Sequence, residues 1–144
     1  MLGNNIHEGG CACGKVRYRT IGDPVHTSVC HCRFCQLRTG SAFGVSAYFN
    51  NRNVKKISGE FGRFEYEAGS GKSVRSEFCV HCGTTVYWTA GSFEGVIGIS
   101  GGTFDPPTFW YPIKREVFCR SKAPFSENSV PEKHETSPGL QSTM

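Results

Sequence analysis

Apolar and aromatic residues occur along the chain in short runs separated by glycine and other turn-forming residues. Several runs alternate apolar with polar side chains, as in VRYRT at 16–20 and FGRFEY at 61–66. Alternation with a period of two is typical of strands that pack one face against a core. The pattern predicts strands at residues 16–20, 46–49, 61–66, 73–78, 84–88, 95–99 and 117–119.

Helical periodicity is confined to one short segment. The predicted helix runs from about Arg33 to Thr39 and ends at Gly40, a residue type that readily takes the left-handed conformation of a helix C-terminus. The fold is therefore expected to be mainly β with little helix, in a single domain over residues 1–125. Residues 126–144 contain several Glu and Ser residues and few apolar ones, which predicts a flexible C-terminal tail.

The composition indicates the cellular compartment and suggests that the hydrophobic core needs additional stabilisation. Hydrophobic residues make up only 38% of the chain, while eight cysteines are present to strengthen a lean core. The N-terminus has no basic segment followed by an apolar one, and no run approaches the roughly 18 apolar residues of a membrane span. We therefore expect a cytoplasmic protein without a membrane partner, in which closely spaced cysteines are metal ligands rather than disulfides.

The net charge of +4 is modest and uneven. A small basic excess favours an acidic small molecule as a partner, and it lacks the dense basic face that nucleic-acid binding requires. The cations of the first third of the chain are Lys15, Arg17, Arg19, Arg33 and Arg38.

Seven of the eight cysteines fall into three groups, and Cys119 stands apart. The groups are Cys11 with Cys13, Cys79 with Cys82, and Cys30 with Cys32 and Cys35. The first two groups share a trailing glycine, Gly14 or Gly83, which lets the backbone turn back so that N–H groups point at the thiolates. This shared feature pairs them as one closed site, a zinc ion held by four thiolates at about 2.3 Å.

Three thiols then remain for a second ion. Catalytic zinc sites have three protein ligands and one open position, so Cys30, Cys32 and Cys35 favour an open site. The alternative is a second closed site completed by Cys119 or His31. In an extended segment, however, His31 would point away from its two cysteine neighbours.

Three blocks of the sequence resemble those of a known family. They are GGCACGKVRY at 9–18, CHCRFCQLRTGSAF at 30–43 and FCVHCGTTVYW at 78–88. In order and spacing they are similar to the glutathione-dependent formaldehyde-activating enzyme family, which also contains centromere-protein-V-like proteins. The resemblance implies a β-tent fold of antiparallel sheets with two zinc ions per chain. It assigns the structural zinc to Cys11, Cys13, Cys79 and Cys82 and the catalytic zinc to Cys30, Cys32 and Cys35.

The resemblance also implies a reaction, in which glutathione and formaldehyde form S-hydroxymethylglutathione under a carbon–sulfur lyase. Glutathione carries two carboxylates, so cations and free N–H groups near the three cysteines are candidate contacts. These candidates are Arg33, Arg38, Gly40 and Ser41, although either arginine alone has the alternative of a solvated surface charge. Two other functions stay open, a non-catalytic zinc module that binds a protein partner and a thiol sensor with labile zinc.

Overall fold

Eleven β-strands and one α-helix are found in residues 5–67 and 73–137, the part of the chain that this computed structural model describes. The prediction of a mainly β fold with little helix is confirmed. The strands are β1 (Ile6–Gly10), β2 (Arg17–Ile21), β3 (His26–Cys30), β4 (Gly44–Asn50), β5 (Val54–Ser58), β6 (Phe61–Glu67), β7 (Ser73–Cys79), β8 (Thr85–Ala90), β9 (Val96–Ser100), β10 (Arg115–Val117) and β11 (Glu132–Lys133). The helix α1 spans Arg33–Thr39.

The strands form two sheets. A three-stranded sheet has the order β1-β2-β5, and an eight-stranded sheet has the order β11-β10-β3-β4-β9-β8-β7-β6. Neighbouring strands are antiparallel except at one edge, where β10 runs parallel to both β3 and β11. The expectation of antiparallel sheets therefore holds away from this edge.

The main core joins the two sheets through aromatic side chains. Tyr18 of β2 is fully buried and meets the ring of Tyr87 from β8 edge-on, at 5.8 Å between centroids. Phe104 lies against the same Tyr18 ring at 5.4 Å. A second cluster of buried side chains lies under α1 and contains Cys32, Phe34, Cys35 and Trp88. This second cluster fixes the helix, and with it the three cysteines, on the larger sheet.

The helix has the predicted limits. Its N-terminal capping residue is Cys32, and Gly40 follows its last turn with a φ of 65°. The strand predicted at 117–119 is different: β10 ends at Val117 because Phe118 takes a left-handed φ of 56° and turns the chain. Cys119 consequently lies in a short 3₁₀ turn outside the strand.

The C-terminal segment lies against the domain at residues 126–137, the part of the predicted tail that the structure describes. Cys119 N donates to His134 O at 3.0 Å, and His134 N donates to Glu116 O at 2.9 Å. Both bonds lie beside the short strand β11. Residues 138–144 lie outside the described range. Among the described residues, none forms a helix of the length and apolarity that crossing a bilayer requires.

Candidate metal centres

Two tight turns bring the first four cysteines together. In the first turn Gly14 N donates to Cys11 O at 3.1 Å, and in the second Gly83 N donates to Cys79 O at 2.8 Å. Gly14 and Gly83 have φ values of 82° and 80°, a conformation that a side chain would strain. The glycine that follows each cysteine pair therefore has the backbone role that the sequence predicts.

The sulfur atoms of this cluster fit a tetrahedral ion. Cys13 Sγ lies 3.5 Å from Cys11 Sγ and 3.8 Å from Cys79 Sγ, and all four sulfurs including that of Cys82 lie within 4.8 Å of one another. Zinc bound by thiolates at about 2.3 Å requires sulfurs about 3.8 Å apart. The four-cysteine cluster has the donor type, number and spacing that zinc prefers.

Hydrogen bonds reach the sulfur atoms of Cys11, Cys79 and Cys82 in this cluster, whereas at Cys13 the bond from the Lys15 backbone is outweighed by burial and the three neighbouring thiols, which raise the pKa to about 11. Val16 N donates to Cys11 Sγ at 3.2 Å, and His81 N donates to Cys79 Sγ at 3.4 Å. Thr84 Oγ1 lies 3.2 Å from Cys82 Sγ, and hydrogen bonds from this side chain and from backbone N–H groups lower the pKa of Cys82 to about 5. The same hydroxyl accepts from Ala12 N at 3.1 Å, which links the two turns.

The remaining three cysteines meet where β3 passes into α1, and we call them the triad. Cys30 ends β3, Cys32 caps the helix, and Cys35 lies in its first turn, with all three sulfurs within 4.8 Å of one another. Cys35 N donates to Cys32 Sγ at 3.4 Å. Cys32 and Cys35 are only 7% and 3% exposed. The triad is thus more deeply buried than the four-cysteine cluster, half of which is exposed.

The electrostatics of the triad favour a bound cation. Hydrogen bonds from Cys30 and Cys32 lower the pKa of Cys35 well below its usual range, and the nearby Arg38 guanidinium acts in the same direction. The pKa of Cys30 is strongly raised, because its thiol proton is shared with the sulfurs of Cys32 and Cys35. Three buried thiols cannot all ionise beside one another without an added positive charge, and a divalent soft metal ion supplies it.

No fourth metal-binding side chain joins the triad in residues 5–67 and 73–137. His31 points away from it, and its Nε2 lies 2.7 Å from Glu116 Oε2. Cys119 Sγ contacts the backbone carbonyl of Glu116 at 3.9 Å. Neither residue that the sequence left as an alternative fourth ligand belongs to the cluster.

The two candidate arginines occupy different positions. Arg38 is half-buried, with Nη2 3.8 Å from Cys35 Sγ and Nη1 3.2 Å from Ser100 Oγ. Its Nε is buried and has no hydrogen-bond partner among the described residues, and no carboxylate there pairs with it. Arg33 is exposed and lies 3.5 Å from Gln36 Oε1 on the outer side of the helix. Arg38 is therefore the cation at the triad.

The backbone groups predicted as substrate contacts are already used inside the chain. Gly40 N donates to Gln36 O at 2.8 Å, and Ser41 N donates to Thr39 Oγ1 at 3.1 Å. Both bonds complete the end of α1. Of the four predicted contacts, Arg38 is the one whose charged group faces the triad.

Two grooves border Arg38. One, the apolar groove, has a volume of about 470 Å³ between α1, β6 and β7, and its walls include Phe34, Leu37, Phe64, Tyr66 and Phe78. The other, the polar groove, has a volume of about 390 Å³, and its walls include Thr39, Thr84, Ser100, Gly101 and Gly102. Arg38 lines both grooves and lies 3.8 Å from Cys35 Sγ through Nη2, so it is the residue that connects each groove with the triad.

Sequence reasoning missed the charged group behind the triad. Glu116 on β10 is fully buried and accepts hydrogen bonds from four side chains. The donors are His31, Lys122, Asn128 and Lys133. Glu116 directly follows Lys114 and Arg115, so nothing local in the sequence signals a buried carboxylate or names its partners.

A mainly β fold that carries one four-thiol and one three-thiol cluster defines a protein built around two candidate thiolate metal centres. Residues 6–121 match the sequence model of the family described as glutathione-dependent formaldehyde-activating enzyme. The match spans most of the chain, so the protein belongs to this family. A solved structure of a Rhodobacter sphaeroides protein is similar, with a TM-score of 0.53 and 18% identity over 72% of this chain and 95% of its own. This likeness supports the fold alone.

Proposed function

We propose that the protein is a zinc-dependent carbon–sulfur lyase that makes or breaks the adduct of a small thiol with a small aldehyde. S-hydroxymethylglutathione, formed from glutathione and formaldehyde, is the reference reaction that family membership suggests. The observation that carries the proposal is the division of seven thiols into a complete set of four and an incomplete set of three. Cys11, Cys13, Cys79 and Cys82 would hold a structural zinc, and the triad would hold the catalytic one.

The reaction needs no oxidant or further reactant. The thiol sulfur forms a bond to the aldehyde carbon, the carbonyl π bond breaks, and the thiol proton ends on the new hydroxyl group. When bound to the triad, zinc would supply Lewis acidity and would stabilise a thiolate at neutral pH. Acceleration of this reaction therefore depends on how the chain holds the two reactants beside the triad.

The chain's own residues supply charge balance and orientation. Three thiolates and one divalent ion leave one net negative charge, and Arg38 lies where it offsets that charge beside Cys35. Arg38 also lines both grooves, and no carboxylate of the described residues pairs with it. It is the group that would hold a substrate carboxylate and keep the thiol sulfur near the triad. The burial of Cys32 and Cys35 would limit competing water.

The reference reaction also proceeds without an enzyme, so the test must measure acceleration. Two-dimensional NMR exchange spectroscopy on an equilibrium mixture of glutathione, formaldehyde and their adduct gives the exchange rate directly. We expect the zinc-loaded protein to raise this rate in proportion to its concentration, and Cys35→Ser to abolish the increase. Cys119→Ser is the matched control, because Cys119 lies outside both clusters. An exchange rate equal to that of buffer for every small thiol tried would refute the lyase assignment.

A cytoplasmic location completes the proposal. None of the eight cysteines forms a disulfide in the structure, and both clusters require reduced thiols. A reducing compartment maintains that state.

A further inference from the structure

The apolar groove begins directly beside the triad. Phe34 and Arg38 belong to the same helix as Cys35, and the Phe34 ring packs on that of Tyr66 at 4.7 Å between centroids. Arg38 also lines this groove, and its Nη2 lies 3.8 Å from Cys35 Sγ. Arg38 therefore connects the apolar groove with the triad.

The groove is built for an apolar occupant. Phe78 lies on its floor over Gly62, where an added Cβ would come within 2.5 Å of the Phe78 ring. Leu37 of α1 and Phe64 of β6 both line the groove and remain 63% and 58% exposed. Among the described residues that line the groove, Arg38 is the one charged group.

This lining is a poor match for glutathione. Glutathione is polar along its length and carries two carboxylates and an ammonium group, whereas the described walls of the groove offer one guanidinium, three hydroxyl-bearing side chains and no carboxylate. A polar group placed against Phe64 and Leu37 would lose water without gaining a hydrogen bond. An aryl or branched alkyl group placed there would instead cover exposed apolar surface.

We propose that the preferred thiol of this protein carries an aryl or branched alkyl group, which lies in the apolar groove, and a single carboxylate, which binds Arg38. The inference rests on the proposed function, because it places the thiol sulfur at the triad. It narrows that function from small thiols in general to apolar thiol acids. The bond changes are those of the reference reaction, with the proton passing from sulfur to the aldehyde oxygen.

Isothermal titration calorimetry of the zinc-loaded protein with four thiols tests the two halves of the proposal separately. The thiols are 3-phenyl-2-sulfanylpropanoic acid, 2-sulfanylpropanoic acid, 2-phenylethanethiol and glutathione. We expect the first to bind about tenfold more tightly than each of the others, since covering an aryl group or pairing a carboxylate is worth about that factor. Equal affinities for the first and second thiols would overturn the assignment of the groove.

Two variants complete the test. Phe64→Ala should weaken binding of the two aryl thiols about tenfold and leave 2-sulfanylpropanoic acid unchanged. Phe125→Ala is the matched control, because Phe125 is 81% exposed and lies outside the groove. If Phe64→Ala instead leaves thiol binding intact and turns a dimer into a monomer in sedimentation, the groove is an interface between copies and the proposal fails. If no thiol binds the zinc-loaded protein at all, the proposed function itself fails, and this inference with it.

Discussion

His31 Nε2 lies 2.7 Å from Glu116 Oε2, and neither side chain is exposed to solvent. His31 is the residue between Cys30 and Cys32, so this bond ties the backbone of the triad to β10. Glu116 also accepts from Asn128 at 2.6 Å and Lys133 at 2.8 Å, both in the C-terminal segment. The carboxylate therefore joins three separate parts of the chain behind the candidate metal centre.

The first prediction concerns the loss of this carboxylate charge. Glu116→Gln should lower the free energy of unfolding by about 2 kcal/mol, because it removes the charged hydrogen-bond acceptor shared by His31, Lys122 and Lys133. The variant should also speed zinc release from the triad more than from the four-cysteine cluster, because His31, between Cys30 and Cys32, loses its hydrogen bond to the charged carboxylate. Denaturant unfolding and stopped-flow transfer of zinc to a chromophoric chelator measure the two effects. Glu132→Gln, which alters an exposed ion pair with Arg115, should change stability by less than about 1 kcal/mol.

The second prediction concerns acid. Burial alone would raise the pKa of Glu116, but the hydrogen bonds from Lys133 and its other donors outweigh this and hold the pKa well below its usual range. A carboxyl whose folded-state pKa is depressed stabilises the fold fully above its unfolded pKa of about 4.3 and loses that contribution as pH falls below it. Stability should therefore drop more steeply with acid in the wild type than in Glu116→Gln. Comparing the two at fixed zinc cancels the acid sensitivity of the thiolates, and parallel curves would contradict the prediction.

The third prediction separates the two metal centres. Cys32→Ser should retain one zinc per chain and a native circular dichroism spectrum, since the four-cysteine cluster remains intact. Cys82→Ser should destabilise the domain by several kcal/mol, because it breaks the cluster that ties residues 11–13 to residues 79–82. Cys119→Ser should keep both zinc ions. Metal analysis with thermal unfolding distinguishes these outcomes, and two zinc ions in Cys32→Ser would count against the triad as a metal centre.

The fourth prediction tests Arg38 without replacing it. A Cβ at position 44 would lie 2.5 Å from Arg38 Nη2 and 3.3 Å from Cys35 Cβ, so Gly44→Ala should push the flexible guanidinium away from the triad. We expect both zinc ions to stay bound while affinity for a thiol acid falls about tenfold. Phe125→Ala is the control, because Phe125 is 81% exposed and lines neither groove. Unchanged thiol-acid affinity in Gly44→Ala would exclude Arg38 as the carboxylate contact.

The sequence predicts β4 and β6 to β9 of the larger sheet, because these segments either alternate apolar and polar residues or are rich in β-branched and aromatic side chains. It does not predict β3 or β5. It fails for β1, whose sequence IHEGG carries one aliphatic residue and two glycines. That strand exists because it pairs with β2 over its whole length, a long-range contact that local pattern does not contain. The strand β11 is missed for the same reason, since two polar residues become a strand only beside β10.

The cysteine clusters are predicted better than the groups around them. Thiol spacing and a trailing glycine are local features, and the structure brings together the two sets of cysteines that they define. The choice of Arg38 over Arg33 depends on which side of α1 faces the sheet, and the exposure of Leu37 and Phe64 depends on the packing of distant strands. The pairing of His31 with Glu116 spans 85 residues and is invisible until β10 is placed beside β3.

The central claim is that the triad holds a metal ion with a position left for a thiol, and cobalt substitution tests it most directly. Cobalt(II) reports the number and type of its ligands through its visible and near-ultraviolet absorption. In protein loaded with two cobalt ions, adding glutathione or 3-phenyl-2-sulfanylpropanoic acid should increase sulfur-to-cobalt charge-transfer absorption by one thiolate per chain, and Cys35→Ser should remove the change. Two bound cobalt ions whose spectra no thiol alters would show that the second centre is closed.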